Sequence, residues 1–376
     1  MRALAIESLN IRAFRNLTSV DLELGPRFNV LSGDNGQGKT NLLEAVYVVA
    51  TSRSFRTSRL GDLVESGREI ASVRAKVFEG GSEHSERGEP GGEREQSVGM
   101  RSGLRSVRVD GKRPESLAAY AVRTPTVVFH PGVLVLTAGG GAERRKVLDR
   151  VALYKLPGSL AEADAYGKAL RARQRVLEAR GDQAKDLDDW EALVVRHGLA
   201  LSHARALAAE QLAPAAERAF ERIGPADLAL RVSYVPSAPA GADAFRAQLV
   251  RDRARDRSRG SATTGPHRDD LALTLGGRVV RSMASQGQHR AVVLALQLAE
   301  MEVIADARGV RPILLLDDVS SELDRSRTAA LFAALREEQG QVLLTTTRPD
   351  LIETGALCRV DERRDFTVVG GQVVVS

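Results

Sequence analysis

The segment Gly33–Thr40 reads G-D-N-G-Q-G-K-T and matches G-x-x-x-x-G-K-[ST] at every fixed position. Glycines let successive backbone N–H groups turn towards a polyphosphate, and a helix starting after them adds the positive end of its dipole. We expect Lys39 to reach the β- and γ-phosphates of ATP and the Thr40 hydroxyl to ligate Mg²⁺. The residues predicted to surround the phosphates are Gly33, Asp34, Asn35, Gly36, Gln37, Gly38, Lys39 and Thr40.

Two adjacent carboxylates follow four aliphatic residues in Ile313–Asp318. This run predicts a buried strand whose tip places Asp317 where it can anchor Mg²⁺, usually through water. Asp318 then stands where a general base could orient the attacking water. A strand-end turn is the alternative, but it is common for one aspartate and not for two. Together with the phosphate loop, the pair predicts an ATPase.

A second candidate anion-binding element is Ser285-Gln286-Gly287-Gln288, which precedes the helical pattern of Ala291–Ile304. A serine at a helix N-cap, with glycine nearby, leaves backbone N–H groups available to an anion. Taken alone, the pattern has two interpretations: a second phosphate-binding loop or an ordinary capped helix.

The elements that position these motifs follow an α/β order, because apolar alternation and apolar runs predict strands around several helical patterns. The predicted strands are Leu4–Ile11, Val20–Leu24, Phe28–Leu31, Ala71–Phe78, Ser106–Asp110, Leu271–Leu275, Ile313–Leu316 and Gln341–Thr345, with a terminal Phe366–Val375 hairpin. The predicted helices are Asn41–Thr51, Ala142–Arg150, Ser159–Arg180, Leu187–Ile223, Ala291–Ile304 and Asp324–Glu338. A helical insertion therefore interrupts an α/β unit, which then resumes.

This order predicts three domains: an N-terminal lobe at 1–150, a helical arm at 151–260 and a C-terminal lobe at 261–376. Glu79–Gly99 contains six acidic residues and two arginines, and we expect a disordered acidic surface loop there. An autoinhibitory mimic of DNA is the alternative interpretation. The loop carries −4 of a net charge of +5, so the rest of the chain carries +9. That charge permits binding to a polyphosphate backbone, although arginine-rich composition alone explains it as well.

The composition also bears on location. No apolar run approaches the roughly 18 residues that a membrane-spanning helix needs, and the first residues become charged too early for a secretory signal. The single cysteine, Cys358, cannot form an internal disulfide, which fits a reducing cytoplasm.

The order of these motifs resembles the ABC-type ATPase heads of the SMC-like kind, and further blocks resemble the RecF family of bacterial recombination mediators. The blocks are Ile11–Leu17, Ala142–Arg150, Thr264–Asp270 and Leu316–Asp324. The resemblance implies an α/β head with a short inserted helical arm. It also implies that Ser285–Gln288 is the signature loop, that Ser321–Asp324 is the D-loop, and that two copies sandwich two ATP molecules head to tail.

The resemblance further implies partners: DNA, a second copy of the chain in the presence of ATP, the RecA recombinase, RecO and RecR. Candidate DNA contacts are Arg12, Arg15, Arg53, Arg56 and Arg59, with the alternating arginines of Arg251–Arg259 as a second patch. Any one of these arginines is also explained as a solvated surface charge. Arg56 has a further interpretation, contact with the γ-phosphate, as in SMC heads.

Two blocks leave roles open. His130 stands where related heads have a strand leading to the Q-loop glutamine, which places it in a metal-sensing position, but the family pattern Ser-Pro-Glu-Asp is replaced here by His130–Val133. Thr264–Asp270 is interpreted either as a hydrogen-bonded hub linking the C-terminal lobe to the nucleotide or as aspartates that cap a strand. A metal hydrolase is disfavoured, because no second ligand cluster has fitting spacing.

Spacing separates the remaining functional classes. In the ATPase subunit of a transporter, the signature follows the phosphate loop by about a hundred residues, whereas about 250 separate Lys39 from Ser285. A long SMC tether needs hundreds of residues with sustained heptads, and this insertion covers about a hundred. The sequence therefore favours a DNA-repair ATPase that acts as a clamp.

Overall fold

The structure is a computed structural model that describes residues 1–80, 92–101, 103–318, 340–349, 359 and 362–376. The predicted D-loop, the predicted helix Asp324–Glu338 and Cys358 lie outside these residues. The chain divides into two compact units: Met1–Val133 with Ile304–Ser376, and Leu134–Val303. The predicted arm, 151–260, falls within the second unit, and the three-domain division stays a prediction.

The first unit contains two sheets and the phosphate-loop helix. Its strands are β1 Leu4–Phe14, β2 Leu17–Glu23, β3 Phe28–Ser32, β4 Ile70–Glu79, β5 Gly92–Arg101, β6 Leu104–Val109, β7 Thr126–Phe129, β11 Ile313–Leu316, β12 Val342–Thr346, β13 Arg363–Val369 and β14 Gln372–Val375. Its helices are α1 Lys39–Thr51 and α2 Leu117–Ala121, with a 3-10 turn at Leu60–Leu63.

One sheet is antiparallel, with the strand order β2-β1-β4-β5-β6. Strand β5 pairs with β4 from Ile70↔Arg101 to Glu79↔Gly92. The prediction that Glu79–Gly99 is a disordered loop is therefore wrong for its ends, while 81–91 lies outside the described residues. The acidic composition concealed a strand because Val98 and Met100 are buried on one face while Glu93 and Glu95 lie on the other.

The second sheet has the order β14-β13-β3-β12-β11-β7 and is parallel except for β14. Its central strands are buried on both faces, as the uninterrupted apolar run of β11 requires. Helix α1 packs between the two sheets in one core that includes Leu42, Val46, Leu31, Val73 and Leu343. The carboxyl ends of β3 and β11 thus lie at the same edge of the parallel sheet.

The second unit is mainly helical. Its helices are α3 Val135–Ala138, α4 Gly141–Lys155, α5 Ser159–Arg180, α6 Leu187–Ile223, α7 Ala242–Arg259, α8 Val280–Met283 and α9 Gln286–Arg308, the last of which ends beyond the boundary of the unit. A three-stranded antiparallel sheet contains β8 Leu230–Val235, β9 Asp270–Leu275 and β10 Arg278–Val279 in the order β10-β9-β8.

A buried arginine ties three of these helices together. The side chain of Arg173 is fully buried and donates to Glu191 of α6, and to Asp256 and the Leu249 carbonyl of α7. A buried guanidinium is tolerated only when its donors are satisfied, as they are here. The arm helices therefore share a fixed polar centre.

Candidate nucleotide-binding site

The phosphate loop connects β3 to α1, as the sequence predicts. Gly33 has φ 143° and a Cβ there would lie 2.4 Å from the Val368 carbonyl oxygen, so only glycine fits. The Lys39 ammonium donates to the carbonyls of Gly33 at 2.6 Å and Asp34 at 2.8 Å. The loop therefore wraps around its own lysine, and we expect phosphate oxygens to replace these carbonyl contacts.

The turn between β13 and β14 supports the loop from outside. The Gly371 N–H donates to the Gln37 carbonyl at 2.9 Å, and the Gly370 N–H donates to Gln37 Oε1 at 2.6 Å. The Asn16 amide donates to the same carbonyl at 3.3 Å and accepts a hydrogen bond from Asn41 at 2.7 Å. Sequence reasoning missed Asn16 and the glycine pair, whose only local signal is a hairpin turn.

Asp317 lies at the tip of β11, next to the phosphate-loop helix. Its carboxylate accepts hydrogen bonds from the hydroxyls of Thr40 and Thr345, each at 2.9 Å from Oδ1. The residue is 5% exposed, and the two predicted magnesium ligands, Thr40 and Asp317, are in direct contact. Hydroxyl and carboxylate oxygens are the donors that Mg²⁺ prefers, so the residues present fit this ion. Thr345, at the end of β12, was not predicted.

Asp318 has a left-handed backbone, with φ 51°. Its N–H donates to the Thr345 hydroxyl at 2.9 Å, so the same threonine fixes both aspartates. Aspartate tolerates this conformation better than most side chains. The predicted role of Asp318 in orienting water stays a prediction.

The charges at the site influence one another. Burial raises the pKa of Asp317, although hydrogen bonds from Thr345 and Thr40 oppose the shift. Burial likewise lowers the pKa of Lys39, against the attraction of Asp318, Asp317 and Asp34. A site in which a buried carboxylate lacks full charge compensation gains most from binding a cation.

A polar cluster lies on the helix α1 side of the site. Glu44 is fully buried and accepts two hydrogen bonds from Arg15, at 2.9 and 3.0 Å. It also accepts one from Arg56 at 3.2 Å, and Arg56 donates to Asn41 at 2.6 Å. These contacts place Arg56 beside Asn41 and Glu44 on helix α1, whose first turn also carries Thr40.

The predicted DNA-contacting arginines of the first unit differ in their ion pairs and exposure. Arg15 forms a two-pronged ion pair with the buried Glu44, and its role as a DNA contact stays a prediction. Arg12 forms an exposed ion pair with Asp21, whereas Arg53 and Arg59 are exposed on the segment that follows α1.

The second arginine patch is also smaller than predicted. The alternating arginines lie on helix α7, where positions two apart point in different directions. Arg253 turns inward to Glu191 and Asp188, with a side chain that is 14% exposed. Arg251, Arg255 and Arg259 recur every four residues along one outer face of α7, Arg257 is exposed as well, and all four remain candidates.

His130 directly follows β7, whose last residue pairs with Leu316. The Asp317 N–H donates to the Phe129 carbonyl at 2.7 Å, so the backbone before His130 contacts the predicted magnesium ligand. The His130 ring lies 5.1 Å from that of Phe55 and accepts a hydrogen bond from the Gly132 N–H. Its role as a metal ligand stays a prediction.

The predicted signature loop lies in the second unit. Ser285 and Gln288 form a reciprocal capping box: Ser285 N–H donates to Gln288 Oε1 at 2.8 Å, and Gln288 N–H donates to the serine hydroxyl at 3.3 Å. Ser285 and Gln286 are exposed, while Gly287 and Gln288 are half-buried. The loop therefore presents the start of α9 to solvent.

Thr264–Asp270 contains a hydrogen-bonded hub and a strand-capping aspartate, whereas the predicted link from the hub to the nucleotide stays a prediction. Asp269 is fully buried and accepts hydrogen bonds from Arg205, the Tyr234 hydroxyl and the Ser237 N–H, which makes it a hub. Asp270 begins β9 and accepts from the Leu271 N–H, as a strand-capping aspartate would. The hub joins elements of the second unit.

Two absences hold for the described part of the chain. It contains no group of three or more His, Cys, Asp or Glu side chains placed to hold a metal ion. Within the same residues, no helix combines the length and apolar character needed to cross a bilayer.

A phosphate loop after β3, an acidic strand tip on β11 and a capped serine loop before α9 define the head of an ABC-type ATPase. Residues 5–365 match the family model of the RecF/RecN/SMC N-terminal domain. A relative from Anaeromyxobacter sp. (strain Fw109-5), named DNA replication and repair protein RecF, is 43% identical over 93% of this chain and 94% of its own length. A RecF of the same name from Myxococcus xanthus (strain DK1622) is 40% identical over 100% of this chain and 97% of its own length.

Solved structures agree with this result. A structure of the recombination mediator protein RecF with ATP in the RecFOR pathway superposes with a TM-score of 0.84, at 26% identity, over 100% of this chain and 98% of that one. An SMC head from Pyrococcus furiosus has a TM-score of 0.55 at 15% identity and shares the fold alone. The chain belongs to the RecF family, and the predicted fold class is confirmed.

Proposed function

We propose that this chain is an ATP-dependent DNA-binding protein that acts in recombinational repair and replication-fork maintenance in the cytoplasm. It dimerises on DNA when it binds ATP, and it supports the loading of RecA at gaps with RecO and RecR. The observation that carries the proposal is the direct contact between Thr40 and Asp317 beneath a phosphate loop. Family membership supports the choice of partners.

The mechanism uses two copies of the chain. Gly33–Thr40 of one copy grips the triphosphate, and Ser285–Gln288 of the second copy closes over the γ-phosphate. Magnesium, held by Thr40 and Asp317, would neutralise charge on the β- and γ-phosphates. Because the nucleotide lies in the dimer interface, nucleotide binding stabilises the dimer and hydrolysis releases it. Asp318 orients the attacking water, and slow turnover makes hydrolysis a switch.

Arg56 is better explained by the nucleotide than by DNA. Its contacts with Asn41 and Glu44 hold it beside the first turn of α1, which carries Thr40. We therefore assign Arg56 to the γ-phosphate side of the site. Arg12, Arg15, Arg53 and Arg59 remain the proposed DNA contacts.

Light scattering with and without ATP tests the dimer. The mass of the wild-type chain should double with ATP, and Ser285→Arg should abolish the doubling because an arginine fills the space of the phosphate. Ser258→Arg, on the exposed face of α7, is the matched control and should dimerise normally. If Ser285→Arg dimerises as well as the control, the serine loop does not meet a second copy's nucleotide.

A further inference from the structure

Helix α4 is anchored at its start to the strand that follows the Thr264–Asp270 block. Arg144 is 6% exposed and donates to both carboxylate oxygens of Asp270, at 2.7 and 2.8 Å. Its third contact is with the Leu136 carbonyl at 2.8 Å. The packing is tight, since a Cβ on Gly141 would lie 2.8 Å from the same carboxylate. This guanidinium therefore has little freedom to move.

The middle of α4 is tied to the Asp269 hub. Arg145 donates to the Asp269 carbonyl at 2.7 Å. Asp149 accepts two hydrogen bonds from Arg205 of α6, and Arg205 also donates to the Asp269 carboxylate at 3.1 Å. Hydrogen bonds from charged donors in a buried network are strong and directional. The part of α4 from Arg144 to Asp149 is thus fixed relative to α6 and β9.

The later part of α4 forms an ion pair with α9, the signature helix that begins in the predicted signature loop. Arg150 forms a two-pronged ion pair with Glu300 of α9, at 2.5 and 2.8 Å. Glu300 is 1% exposed, and a buried carboxylate is destabilising when its partner is removed. Residues 291–300 of α9 are all buried. Ser285 precedes this rigid segment, about 22 Å along the helix from Glu300.

We propose that Arg150 and Glu300 are positioning residues for the signature loop. Helix α4 acts as a strut: Arg144 and Arg145 fix one part to the Thr264–Asp270 block, and Arg150 sets the depth and rotation of α9. The exposed Ser285 then has the orientation needed to meet a triphosphate held by a second copy. This inference rests on the proposed dimer, and it gives the two sequence blocks Ala142–Arg150 and Thr264–Asp270 a shared role.

The test separates nucleotide binding from dimerisation. Arg150→Met leaves Glu300 buried without its partner, and α9 should shift. We expect the dissociation constant of the ATP-bound dimer to rise by at least about tenfold. Binding of a fluorescent ATP analogue to the dilute monomer should stay within about twofold, because the phosphate loop is unchanged. Hydrogen exchange should increase in a peptide covering 285–292.

Two further variants make the result decisive. Arg218→Met removes an exposed ion pair, 2.6 Å long, between α6 and Glu302 of α9. It should change neither dimerisation nor hydrogen exchange. Arg150→Lys keeps the charge but loses the two-pronged geometry, so it should dimerise with intermediate affinity.

The inference is overturned if Arg150→Met behaves like Arg218→Met. It is also overturned if Arg150→Met unfolds while a folded Arg150→Lys dimerises like the wild type. Failure of the wild type to dimerise with ATP would instead remove the proposed function. In that case, the exchange measurement still reports on the strut, because it does not require a dimer.

Discussion

Thr345 joins the two adjacent aspartates at the tip of β11. Its hydroxyl donates to Asp317 and accepts from the Asp318 N–H, so the predicted magnesium ligand and the proposed water-orienting carboxylate share one support. The adjacent pair was predicted from the apolar run of β11. Thr345 was not, because parallel pairing of β12 with β11 joins residues 28 positions apart and leaves no local pattern.

Replacing Asp318 by glutamate tests the basis for slow turnover. Most ABC heads have a glutamate where this chain has Asp318. Its longer side chain should hold the attacking water more closely, so the ATPase rate of the variant should rise by about tenfold at most. The left-handed backbone at φ 51° suits aspartate better than glutamate, and this strain offsets part of the gain. Steady-state ATPase assays at saturating ATP measure the effect.

The control for this comparison is Asp318→Asn, which tolerates the left-handed backbone and lacks a carboxylate. It should bind ATP normally and hydrolyse it at a strongly reduced rate. A glutamate variant that is folded and yet hydrolyses ATP no faster than the wild type removes the side-chain-length argument.

At the scale of elements, apolar periodicity predicted a helix correctly where the helix has one buried face and one exposed face. The predicted helices Ser159–Arg180 and Leu187–Ile223 match α5 and α6 at both ends. Helix α7 was missed because its charged residues serve two environments, an outer arginine face and an inner ion-pair network with Glu191. Composition alone does not separate such charges.

The hairpin β13–β14 provides the element-scale prediction. Gly371 has φ 80°, and a Cβ there would lie 2.1 Å from the Asn16 carbonyl oxygen. Gly371→Ala should push the turn away from Gln37 and weaken ATP binding by about tenfold, since the phosphate loop loses its outer support. Titration with a fluorescent ATP analogue measures the change.

Gly370→Ala is the matched control because it lies in the same turn at φ 56° with no atom within 4 Å of the added Cβ. The alanine at position 370 has a similar backbone strain but does not clash with the Asn16 carbonyl oxygen. Equal ATP affinities in the two alanine variants would show that the hairpin does not support the loop.

At the scale of the whole molecule, function depends on residues that lie far apart in sequence. The phosphate loop and the acidic strand tip are 277 positions apart at the Thr40–Asp317 contact, yet both motifs were identified locally because each chemistry requires its own residue types. The strut from the Thr264–Asp270 block to the signature helix was not predictable. Its ion pairs join Arg150 and Asp269, which lie in recognised sequence blocks, to Glu300 and Arg205, which carry no motif of their own.

If Arg53 and Arg59 contact DNA phosphates as proposed, they contribute to the salt dependence of DNA binding. Each phosphate neutralised contributes about −0.9 to the slope of log affinity against log salt concentration. Replacing both Arg53 and Arg59 by glutamine should therefore make this slope shallower by about 2 in the presence of ATP.

Arg231→Gln removes an exposed arginine that is paired with Glu217, and it should keep the wild-type slope. Fluorescence anisotropy on duplex, single-stranded and gapped DNA measures all three proteins. An unchanged slope in the double variant would place the DNA elsewhere, with the outer face of α7, Arg251, Arg255 and Arg259, as the next surface to vary.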